Sequence, residues 1–592
     1  LNRFQKHTLR SDRNTYRMKR ETIKNSIFAC DLEASASDIT KLRLWLSLVI
    51  DNQIRAEENE EFGYTTKPRE LPNLDCNIIC GNSLVDAFHG IKLITENSAL
   101  GNLSAMRQGA LLYDEHFTTQ IHRLISMQDR LYDEKTRVEK ERIKKEIQGI
   151  YDETILTNLN GSQPAMNAYY ECKNDVTKPF ILWQLMFPKV FRDNGGFDIV
   201  IGNPPYIQLQ TKIDEDTGEK LGDQFAELGF QTFAKTGDIY CLFYEKGYQL
   251  LSRGGVLTYI TSNKWMRAGY GEKLRSFFAQ RTNPVRLIDF GKQKIFASAT
   301  VDVNILMFTK SENKEQTLAC TVRESCPSNL SVYIEQNSCH TTFSSDESWV
   351  ILSSEENQIR NKINEHGVSL KEWGVKIYRG ILTGFNDAFI ISTEKKNELI
   401  AADPKSAELI RPILRGKDVK RYEYNFADQW IIATFPSCKY DIDQYSAIKQ
   451  HLLSFGIERL EQTGATHIID GVPVKSRKKT NNKWFETQDS ISYWNEFFKQ
   501  KIIWGNLALS AQFAWAEEGY FINAPSSMIV PGNKYLLAVL NSKLADWYIR
   551  QLGVTRNGGY FEYKPMFIEQ LPVPMIDEDT QVPYIRLVDK IL

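Results

Sequence analysis

The sequence predicts an α/β protein with more than one domain. Short apolar segments alternate with longer segments of helical periodicity through roughly the first half of the chain, a pattern typical of a parallel sheet covered by helices. After about residue 310 this alternation gives way to shorter aromatic-rich segments separated by Gly and Pro. At roughly 150 residues per domain, 592 residues allow about two to four domains. We therefore expect a domain boundary between residues 310 and 350.

The composition excludes several classes of protein. Hydrophobic residues make up 42% and charged residues 25%, as in folded globular chains. The 73 Lys and Arg residues balance 74 Asp and Glu residues, so the net charge of -1 gives no overall attraction to nucleic acids or anionic membranes. The sequence contains no run of about 18 apolar residues, so no membrane span is predicted. Binding to a polyanion must therefore depend on local basic patches.

The cysteines indicate a reducing compartment. They are nine in number and scattered, which fits the cytoplasm better than a disulfide framework. One cluster contains Cys320, Cys326, Cys339 and His340, but its spacing lacks the CxxC pairs of a structural zinc site. We therefore interpret these residues as unrelated thiols and predict no metal site.

Six short apolar segments are the predicted strands of the first half. A helix is expected between the first two, over residues 38–51, with Asp38 as its N-cap. The predicted strands are residues 26–30, 77–80, 197–201, 255–261, 285–290 and 303–309.

Residues 107–151 interrupt this alternation, within an insertion of about residues 100–180. Leu124, Leu131 and Val138 recur every seven positions among dense charges of both signs. We expect a helical insertion with a solvated face rather than a nucleic-acid contact.

The strongest chemical signal follows the predicted strand 197–201. That strand runs through Gly202 into a tetrapeptide made of Asn203, Pro204, Pro205 and Tyr206. Two prolines fix the backbone and leave carbonyl acceptors at the carboxyl end of a strand. The Asn203 side-chain oxygen and the Pro204 carbonyl can accept both N–H groups of an amine attached to an aromatic ring, directing its lone pair at an electrophilic methyl group, while Tyr206 stacks on the ring. The structural alternative is a Pro-stiffened turn with Tyr206 as a packing residue.

This tetrapeptide after a strand resembles the catalytic motif of S-adenosylmethionine-dependent adenine-N6 DNA methyltransferases, of the TaqI-like and type IIG restriction-modification kind. The resemblance implies a Rossmann-like methyltransferase domain over residues 1–320, with S-adenosylmethionine as methyl donor and double-stranded DNA as partner. The segment KIFASATVDVNILMF resembles the motif that places an aromatic residue against the flipped-out adenine, here Phe296. Tyr206 and Phe296 are therefore the implied base-stacking residues.

The resemblance also implies which residues bind the cofactor. Asp31 ends the second strand of the fold, NIICGNSL resembles the third-strand motif, and TGDIYCLFYEKG resembles the following helix. Asn82 stands where many relatives carry Asp. The implied cofactor-binding residues are Asp31, Leu32, Asn82, Ser83, Asn203 and Asp238. The Gly-rich first motif of the family is not found before Asp31, so we expect a fragment that begins after it.

The second half resembles the DNA target-recognition domain of the same enzymes, with mixed α+β structure, over residues 321–592. The resemblance rests on KIYRGILTGFNDAFII, ELIRPILRGKDVKRY, YLLAVLNSKLADWYIR and YKPMFIEQLPVP, in that order. Residues 475–483 carry five basic residues and no acid, next to aromatic residues. They predict phosphate contacts by Lys475, Arg477, Lys478, Lys479 and Lys483, with a solvated loop as the alternative.

The leading hypothesis is a site-specific adenine-N6 DNA methyltransferase, part of a type II (IIG) restriction-modification enzyme of the bacterial or archaeal cytoplasm. Two alternatives stay open. The same tetrapeptide occurs in protein-glutamine and rRNA methyltransferases, because these also methylate planar conjugated amines. The missing Gly-rich motif also admits a non-catalytic DNA-specificity module. The recognition sequence, a fused nuclease and the oligomeric state cannot be read from the sequence.

Overall fold

The computed structural model describes ten stretches of the chain and divides it into two compact units. The first unit extends to Glu347, and the second runs from Ser348 to Leu592. The predicted functional division at residue 320 stays a prediction. The described residues are 15–60, 71–94, 103, 115–214, 218–291, 293–296, 301–323, 329–469, 471–553 and 560–592.

The first unit opens with a small parallel sheet. Strand β1 (Ala29–Asp31) pairs in parallel with β2 (Ile78–Cys80), so their carboxyl ends lie side by side. Helix α1 (Thr15–Ser26) precedes β1, and α2 (Ala34–Glu60) connects the two strands. Because α2 begins at Ala34, Asp38 lies inside the helix, and the prediction that it caps the helix is wrong.

A group of helices forms the predicted insertion. Leu124 and Leu131 are buried, whereas Val138 is 82% exposed because a break after Asp133 places it on a separate helix. The seven-residue spacing therefore does not mark one continuous apolar stripe, and residues 107–114 lie outside the described residues. A hairpin of β3 (Ala87–Phe88) and β4 (Ile91–Lys92) precedes the insertion. The insertion contains α3 (Glu115–Asp133), α4 (Arg137–Leu159) and α5 (Gln163–Cys172), and it is followed by α6 (Trp183–Met186) and α7 (Pro188–Asn194).

A six-stranded sheet forms the centre of the first unit, in the order β10-β9-β7-β8-β6-β5. Its strands are β5 (Phe197–Gly202), β6 (Leu251–Ser262), β7 (Asn283–Asp289), β8 (Val303–Thr309), β9 (Thr317–Thr321) and β10 (Cys339–Thr341). The helices along this part are α8 (Leu221–Ala226), α9 (Tyr240–Leu250), α10 (Glu272–Arg281) and α11 (Leu330–Asn337).

The sheet is mixed, which corrects the expectation of a parallel one. Strands β5 and β6 are parallel, as are β7 and β9, but β8 runs antiparallel to both β6 and β7. No helix is described in the connection between β7 and β8, so β8 returns in the opposite direction beside β7. The parallel β5–β6 pair places the carboxyl end of β5 at a sheet edge suited to chemistry.

The second unit is a mixed α+β structure built on two four-stranded sheets. One sheet has the order β12-β22-β18-β20 and the other β13-β15-β14-β21. Its strands are β11 (Val368–Ser369), β12 (Lys376–Arg379), β13 (Ile390–Ser392), β14 (Ile410–Leu414), β15 (Gln429–Ile432), β16 (Thr466–Ile469), β17 (Val472–Lys475), β18 (Lys501–Trp504), β19 (Leu507–Ala508), β20 (Phe513–Ala516), β21 (Phe521–Ile522), β22 (Ser527–Val530), β23 (Phe561–Glu562) and β24 (Pro572–Val573).

The helices of the second unit cover these sheets. Trp504 of β18 is fully buried in the main apolar cluster, which α17 and α18 complete. No helix among the described residues is long and apolar enough to cross a membrane. The helices are α12 (Ser354–His366), α13 (Asn386–Phe389), α14 (Thr393–Ala402), α15 (Ser446–Leu453), α16 (Ile457–Leu460), α17 (Lys534–Leu540), α18 (Lys543–Leu552), α19 (Pro565–Ile568) and α20 (Glu578–Ile591).

Candidate active site

The predicted tetrapeptide leaves the carboxyl end of β5 as an extended loop. Asn203 and Pro205 are exposed, whereas Pro204 is buried and Tyr206 is half-buried. Gly202 precedes them because the chain passes close to β6 at this point: a Cβ on Gly202 would lie 3.1 Å from the Tyr259 ring. The strand, the glycine and the prolines therefore present the Asn203 side chain to solvent at the sheet edge.

The Tyr206 hydroxyl donates a hydrogen bond to Oδ1 of Asn203 over 3.2 Å. Burial, and secondarily the charge of Asp238, raise the pKa of Tyr206, so its hydroxyl keeps its proton at neutral pH. The Tyr206 ring meets the Tyr240 ring edge to face, with centroids 6.2 Å apart, and the Tyr240 and Tyr270 hydroxyls are hydrogen-bonded at 2.7 Å. Two further tyrosines thus support the Tyr206 ring.

The structure brings the two predicted base-stacking residues onto one apolar cluster. Tyr206 and Phe296 both pack against the buried side chains around Phe290 and Val303. Phe296 is half-buried, so part of its ring remains accessible. Residues 297–300 of the same motif lie outside the described residues. An aromatic ring entering beside Asn203 would meet an apolar surface there.

Asp238 anchors the loop that carries the tetrapeptide. Its Oδ1 accepts a hydrogen bond from the main-chain N–H of Ile207 over 2.9 Å. Burial raises the pKa of Asp238, while main-chain N–H groups of Ile207, Tyr240 and Ile239 and the charge of Lys264 oppose that rise. Asp238, which is expected to line the cofactor side, therefore also holds the backbone next to Tyr206 in place.

Asp289, which the sequence analysis did not single out, anchors the segment that leads to Phe296 as Asp238 anchors the loop of the tetrapeptide. It ends β7 and is 2% exposed; its Oδ1 accepts from Nδ2 of Asn263 at 2.8 Å and from the N–H of Gly291 at 2.9 Å. Gly291 has φ +55°, which favours glycine. These bonds fix the start of the segment that leads to Phe296. The only signal in the sequence is an acid at the end of an apolar segment.

The predicted cofactor residues of the first strands lie at one end of the small parallel sheet. The N–H of Gly81 donates to the carbonyl of Asp31 over 2.9 Å, which places Asn82 beside Asp31. Asp31 is exposed, and its carboxylate accepts from the N–H of Glu33 at 2.9 Å. Leu32 is also exposed, at 57%.

The loop after β2 is joined to the region of Asp238. Asn82 and Ser83 are half-buried, and the next residue, Leu84, packs with Ile239 and other apolar side chains. Nζ of Lys246 on α9 also forms an ion pair with Asp86 at 2.9 Å, with the lysine 7% exposed. The apolar cluster and the ion pair therefore hold the third-strand motif against the elements that carry the tetrapeptide.

The basic segment of the second unit divides into one buried and four exposed residues. Arg477 is 2% exposed, and its guanidinium donates to the carbonyls of Leu460, Thr383, Glu486 and Trp484 at 2.7–2.8 Å. Burial lowers the pKa of Arg477 to about 10. The prediction that Arg477 contacts phosphate does not fit this burial, because its donors hold main-chain carbonyls. The side chains of Lys475, Lys478, Lys479 and Lys483 are exposed.

Comparison with known proteins finds one matching family model within each unit. Residues 25–296 match the family described as Eco57I restriction-modification methylase, and residues 411–573 match the TaqI-like C-terminal specificity domain. The methylase match contains every residue predicted for catalysis, base stacking and cofactor binding. The specificity match contains the basic segment.

Individual proteins with similar sequences are named as type II methyltransferases or as combined restriction enzymes and methyltransferases. The chain is 21% identical to type II methyltransferase M.BstVI of Geobacillus stearothermophilus, over 67% of this chain and 70% of that protein. It is 23% identical to the type II restriction enzyme and methyltransferase RM.Eco57I of Escherichia coli, over 65% of this chain but 41% of that protein. A solved structure of the restriction-modification enzyme MmeI with DNA is similar at 12% identity and a TM-score of 0.46, covering 97% of this chain and 66% of that chain.

Proposed function

We propose that this chain, a type II restriction-modification DNA methyltransferase that uses S-adenosylmethionine, methylates the N6 amine of adenine in duplex DNA. The observation that carries the proposal is the arrangement at the carboxyl end of β5. There, the Asn203 acceptor lies beside the Tyr206 ring, and the Phe296 ring packs on the same apolar cluster. A planar ring with an exocyclic amine fits such an arrangement.

The acceptors of the tetrapeptide orient the amine. The lone pair of the adenine N6 amine is delocalised into the ring, so this nitrogen is a poor nucleophile. Oδ1 of Asn203 and the carbonyl of Pro204 accept its two N–H groups, which favours a pyramidal nitrogen with its lone pair directed away from the acceptors. Among the described residues, no donor occupies the Pro204 carbonyl.

The entering amine replaces an internal hydrogen bond. Oδ1 of Asn203 accepts the Tyr206 hydroxyl before the base arrives, so that hydroxyl keeps the acceptor satisfied. When the N6 amine takes its place, the hydroxyl turns to solvent and the ring remains free to stack. The exchange costs little because one neutral hydrogen bond replaces another.

The residues present fit the adenosine part of the methyl donor. Asp31 has an exposed carboxylate at the end of β1, where it can accept the two ribose hydroxyls, and the amide of Asn82 lies at the neighbouring strand end. When bound, S-adenosylmethionine supplies a methyl group on a positively charged sulfur, which makes that carbon electrophilic. The half-buried carboxylate of Asp238 accepts the N–H of Ile207 in the loop of Tyr206, and no cation among the described residues lies within hydrogen-bond distance of it.

The second unit supports duplex DNA as the substrate. An adenine inside a duplex reaches this site only when it is flipped out, which requires a separate grip on the backbone and on neighbouring bases. The TaqI-like specificity region and the exposed lysines around residues 475–483 are suited to that grip. The proposed location is the bacterial or archaeal cytoplasm, where a restriction-modification methyltransferase meets its DNA.

Replacement of Asn203 by alanine tests this proposal. The Asn203→Ala variant loses one amine acceptor, so we expect methyl transfer to fall about 100- to 1000-fold, while DNA affinity changes less than about two-fold. Transfer of a labelled methyl group from S-adenosylmethionine and DNA binding by anisotropy measure the two effects. The matched control is Asn158→Ala, an exposed asparagine of α4.

Two results would contradict the proposed function. If DNA binding and methyl transfer fall together in Asn203→Ala, Asn203 supports the fold of the loop rather than the reaction. If the wild-type chain transfers methyl groups to cytosine instead of adenine, the assignment of the target base is wrong.

A further inference from the structure

A short turn after β6 carries two cationic side chains at the sheet edge that holds the tetrapeptide. Strands β5 and β6 are parallel, and β6 and β7 both run antiparallel to β8, so β5, β6 and β7 end at the same edge. Residues 263–268, here called the basic turn, leave β6 at this edge and include Lys264 and Arg267. Because β6 lies between β5 and β7 in the sheet, the basic turn lies between the strand that leads to Tyr206 and the strand that leads to Phe296.

Buried groups hold the backbone of the basic turn in place. Trp265 lies in the turn and is fully buried. The buried Arg275 of α10 donates through Nη1 to the carbonyl of Trp265 at 2.6 Å and to that of Ala268 at 2.9 Å. The N–H groups of Arg267 and Ala268 both donate to the carbonyl of Lys264, at 3.1 and 2.8 Å. The positions from which Lys264 and Arg267 project are therefore fixed by the core.

The Arg267 guanidinium has unused hydrogen-bond donors. Its side chain is 28% exposed, and its buried Nε has no hydrogen-bond partner among the described residues. Nη2 lies 3.9 Å from Oδ2 of Asp289, which is too long for a hydrogen bond, so this carboxylate attracts the guanidinium without occupying its donors. Oδ1 of Asp289 already accepts from Asn263 and Gly291. A half-buried cation with unused donors is suited to an anion that enters from solvent.

Lys264 supplies a second cation on the same turn. Its side chain is exposed, and its ammonium group forms no hydrogen bond or ion pair within the part of the chain that the structure describes. Its charge opposes the rise in the pKa of Asp238, as expected of a cation near the residue that holds the loop of Tyr206. Main-chain N–H groups already bind the Asp238 carboxylate, so Lys264 can bind another anion. The basic turn thus offers one cation near Asp238 and one near Asp289.

We propose that Lys264 and Arg267 bind the two DNA phosphates that flank the flipped-out adenine, and so hold its nucleotide in the site. This inference rests on the proposed function. A base stacked against Tyr206 and Phe296 leaves its sugar and phosphates at the sheet edge where the basic turn lies. The planar guanidinium of Arg267 can donate two parallel hydrogen bonds to one phosphate, whereas Lys264 acts as a point charge on the other. These contacts offset part of the free energy that unpairing and unstacking the base require.

The experiment measures methyl transfer to a target site in which single phosphates are neutral. Sequencing of DNA methylated by the wild-type chain identifies the site, and short duplexes are made with a neutral methylphosphonate on one or the other side of the target adenine. We expect each neutral group to lower the wild-type kcat/KM about ten-fold. Arg267→Gln should lower transfer to the normal duplex by about the same factor and no longer respond to one of the two neutral groups. Lys264→Gln should no longer respond to the other.

Further variants separate phosphate binding from a structural role. The matched control Arg253→Gln removes an exposed arginine near the amino end of β6, and it should keep the wild-type response to both neutral groups. Arg267→Lys keeps the positive charge and should recover part of the lost transfer. Lys264→Gln and Arg267→Gln should each lower the salt dependence of DNA binding by about one phosphate contact. Unfolding midpoints show whether the variants are folded, and the exposed Lys264 allows the test even where Arg267→Gln is unstable.

Two outcomes overturn the inference while the proposed function stands. If both variants respond to the neutral groups as the wild type does, Lys264 and Arg267 do not contact these phosphates. If the variants lose affinity for S-adenosylmethionine in calorimetry but keep the wild-type DNA affinity and salt dependence, the two cations bind the carboxylate of the methyl donor instead. Failure of the proposed function is seen with the wild type alone, because no adenine is then methylated in any duplex, and the inference fails with it.

Discussion

At the scale of single residues, the Tyr206 hydroxyl and the target amine compete for one acceptor. The hydroxyl satisfies Asn203 when no base is present, and it has to leave when the base enters. The ring and the hydroxyl of Tyr206 therefore have separate roles, one in stacking and one in keeping the empty acceptor hydrogen-bonded. Substitutions can separate these roles.

Replacement of Tyr206 by phenylalanine should preserve most of the activity. The Tyr206→Phe variant keeps the stacking ring and removes the competing hydroxyl, so we expect methyl transfer within about three-fold of the wild type. Tyr206→Ala removes the ring, and base–aromatic stacking is worth about 1–3 kcal/mol, so transfer should fall about 5- to 150-fold. Single-turnover rates measure both effects. Equal losses in the two variants would show that the hydroxyl itself takes part in the reaction.

Asp238 offers a test of charge against hydrogen bonding. Asp238→Asn keeps an acceptor for the Ile207 N–H, whereas Asp238→Ala removes it and should destabilise the chain by about 1–2 kcal/mol. Because the folded-state pKa is raised, the stabilising contribution of this group is present below its unfolded pKa of about 3.9 and is lost as pH rises through the folded value. The wild type should therefore lose stability relative to Asp238→Asn as pH rises across that interval.

Urea midpoints at several pH values measure this difference. A midpoint for Asp238→Ala equal to that of the wild type would show that the Ile207 bond contributes nothing. Calorimetric binding of S-adenosylmethionine to Asp238→Asn then reports whether the charge also serves the cofactor.

Residues could be predicted from the sequence where the chemistry lies in a local pattern. Asn203 and Tyr206 follow an apolar strand, and the prolines between them fix their spacing. Arg477 was misassigned because a sequence does not show that carbonyls from Thr383, Leu460 and residues 484–486 surround its guanidinium. Such long-range satisfaction of a buried charge leaves no local pattern.

At the scale of elements, strands were easier to predict than their directions. The predicted strand 303–309 agrees with β8 at both ends, and 197–201 is one residue shorter than β5. Apolar runs bounded by turn residues define such limits. Strand direction depends on the connection, and the one between β7 and β8 has no described helix. The expectation of parallel strands is therefore confirmed for the pairs β5–β6 and β7–β9 but is wrong for β8.

The buried Arg477, just after β17, gives a prediction at the same scale. Arg477→Lys cannot satisfy four carbonyls, so we expect it to destabilise the chain by at least about 2 kcal/mol while leaving the salt dependence of DNA binding unchanged. Lys478→Ala should do the opposite, with stability within about 0.5 kcal/mol and about one phosphate contact fewer. Denaturant unfolding and salt titrations measure both. A stable Arg477→Lys protein whose DNA binding depends less on salt would show that Arg477 contacts phosphate.

At the scale of the whole molecule, the near-neutral charge conceals an uneven distribution. Balanced charges cover the helical insertion, where Arg142 pairs with both Glu139 and Glu146, whereas lysines 475, 478, 479 and 483 are unpaired within the described residues. DNA affinity should therefore depend on a few local contacts rather than on net charge. The two matched family models fall in different compact units.

The identity of the methylated base tests the central claim most directly. The chain is incubated with labelled S-adenosylmethionine and a diverse set of duplex DNAs, the DNA is digested to nucleosides, and the label is assigned by chromatography and mass spectrometry. We predict that the label appears in N6-methyladenine and is absent with Asn203→Ala. Label in a methylated cytosine, or N6-methyladenine formed equally well by Asn203→Ala, would contradict the account.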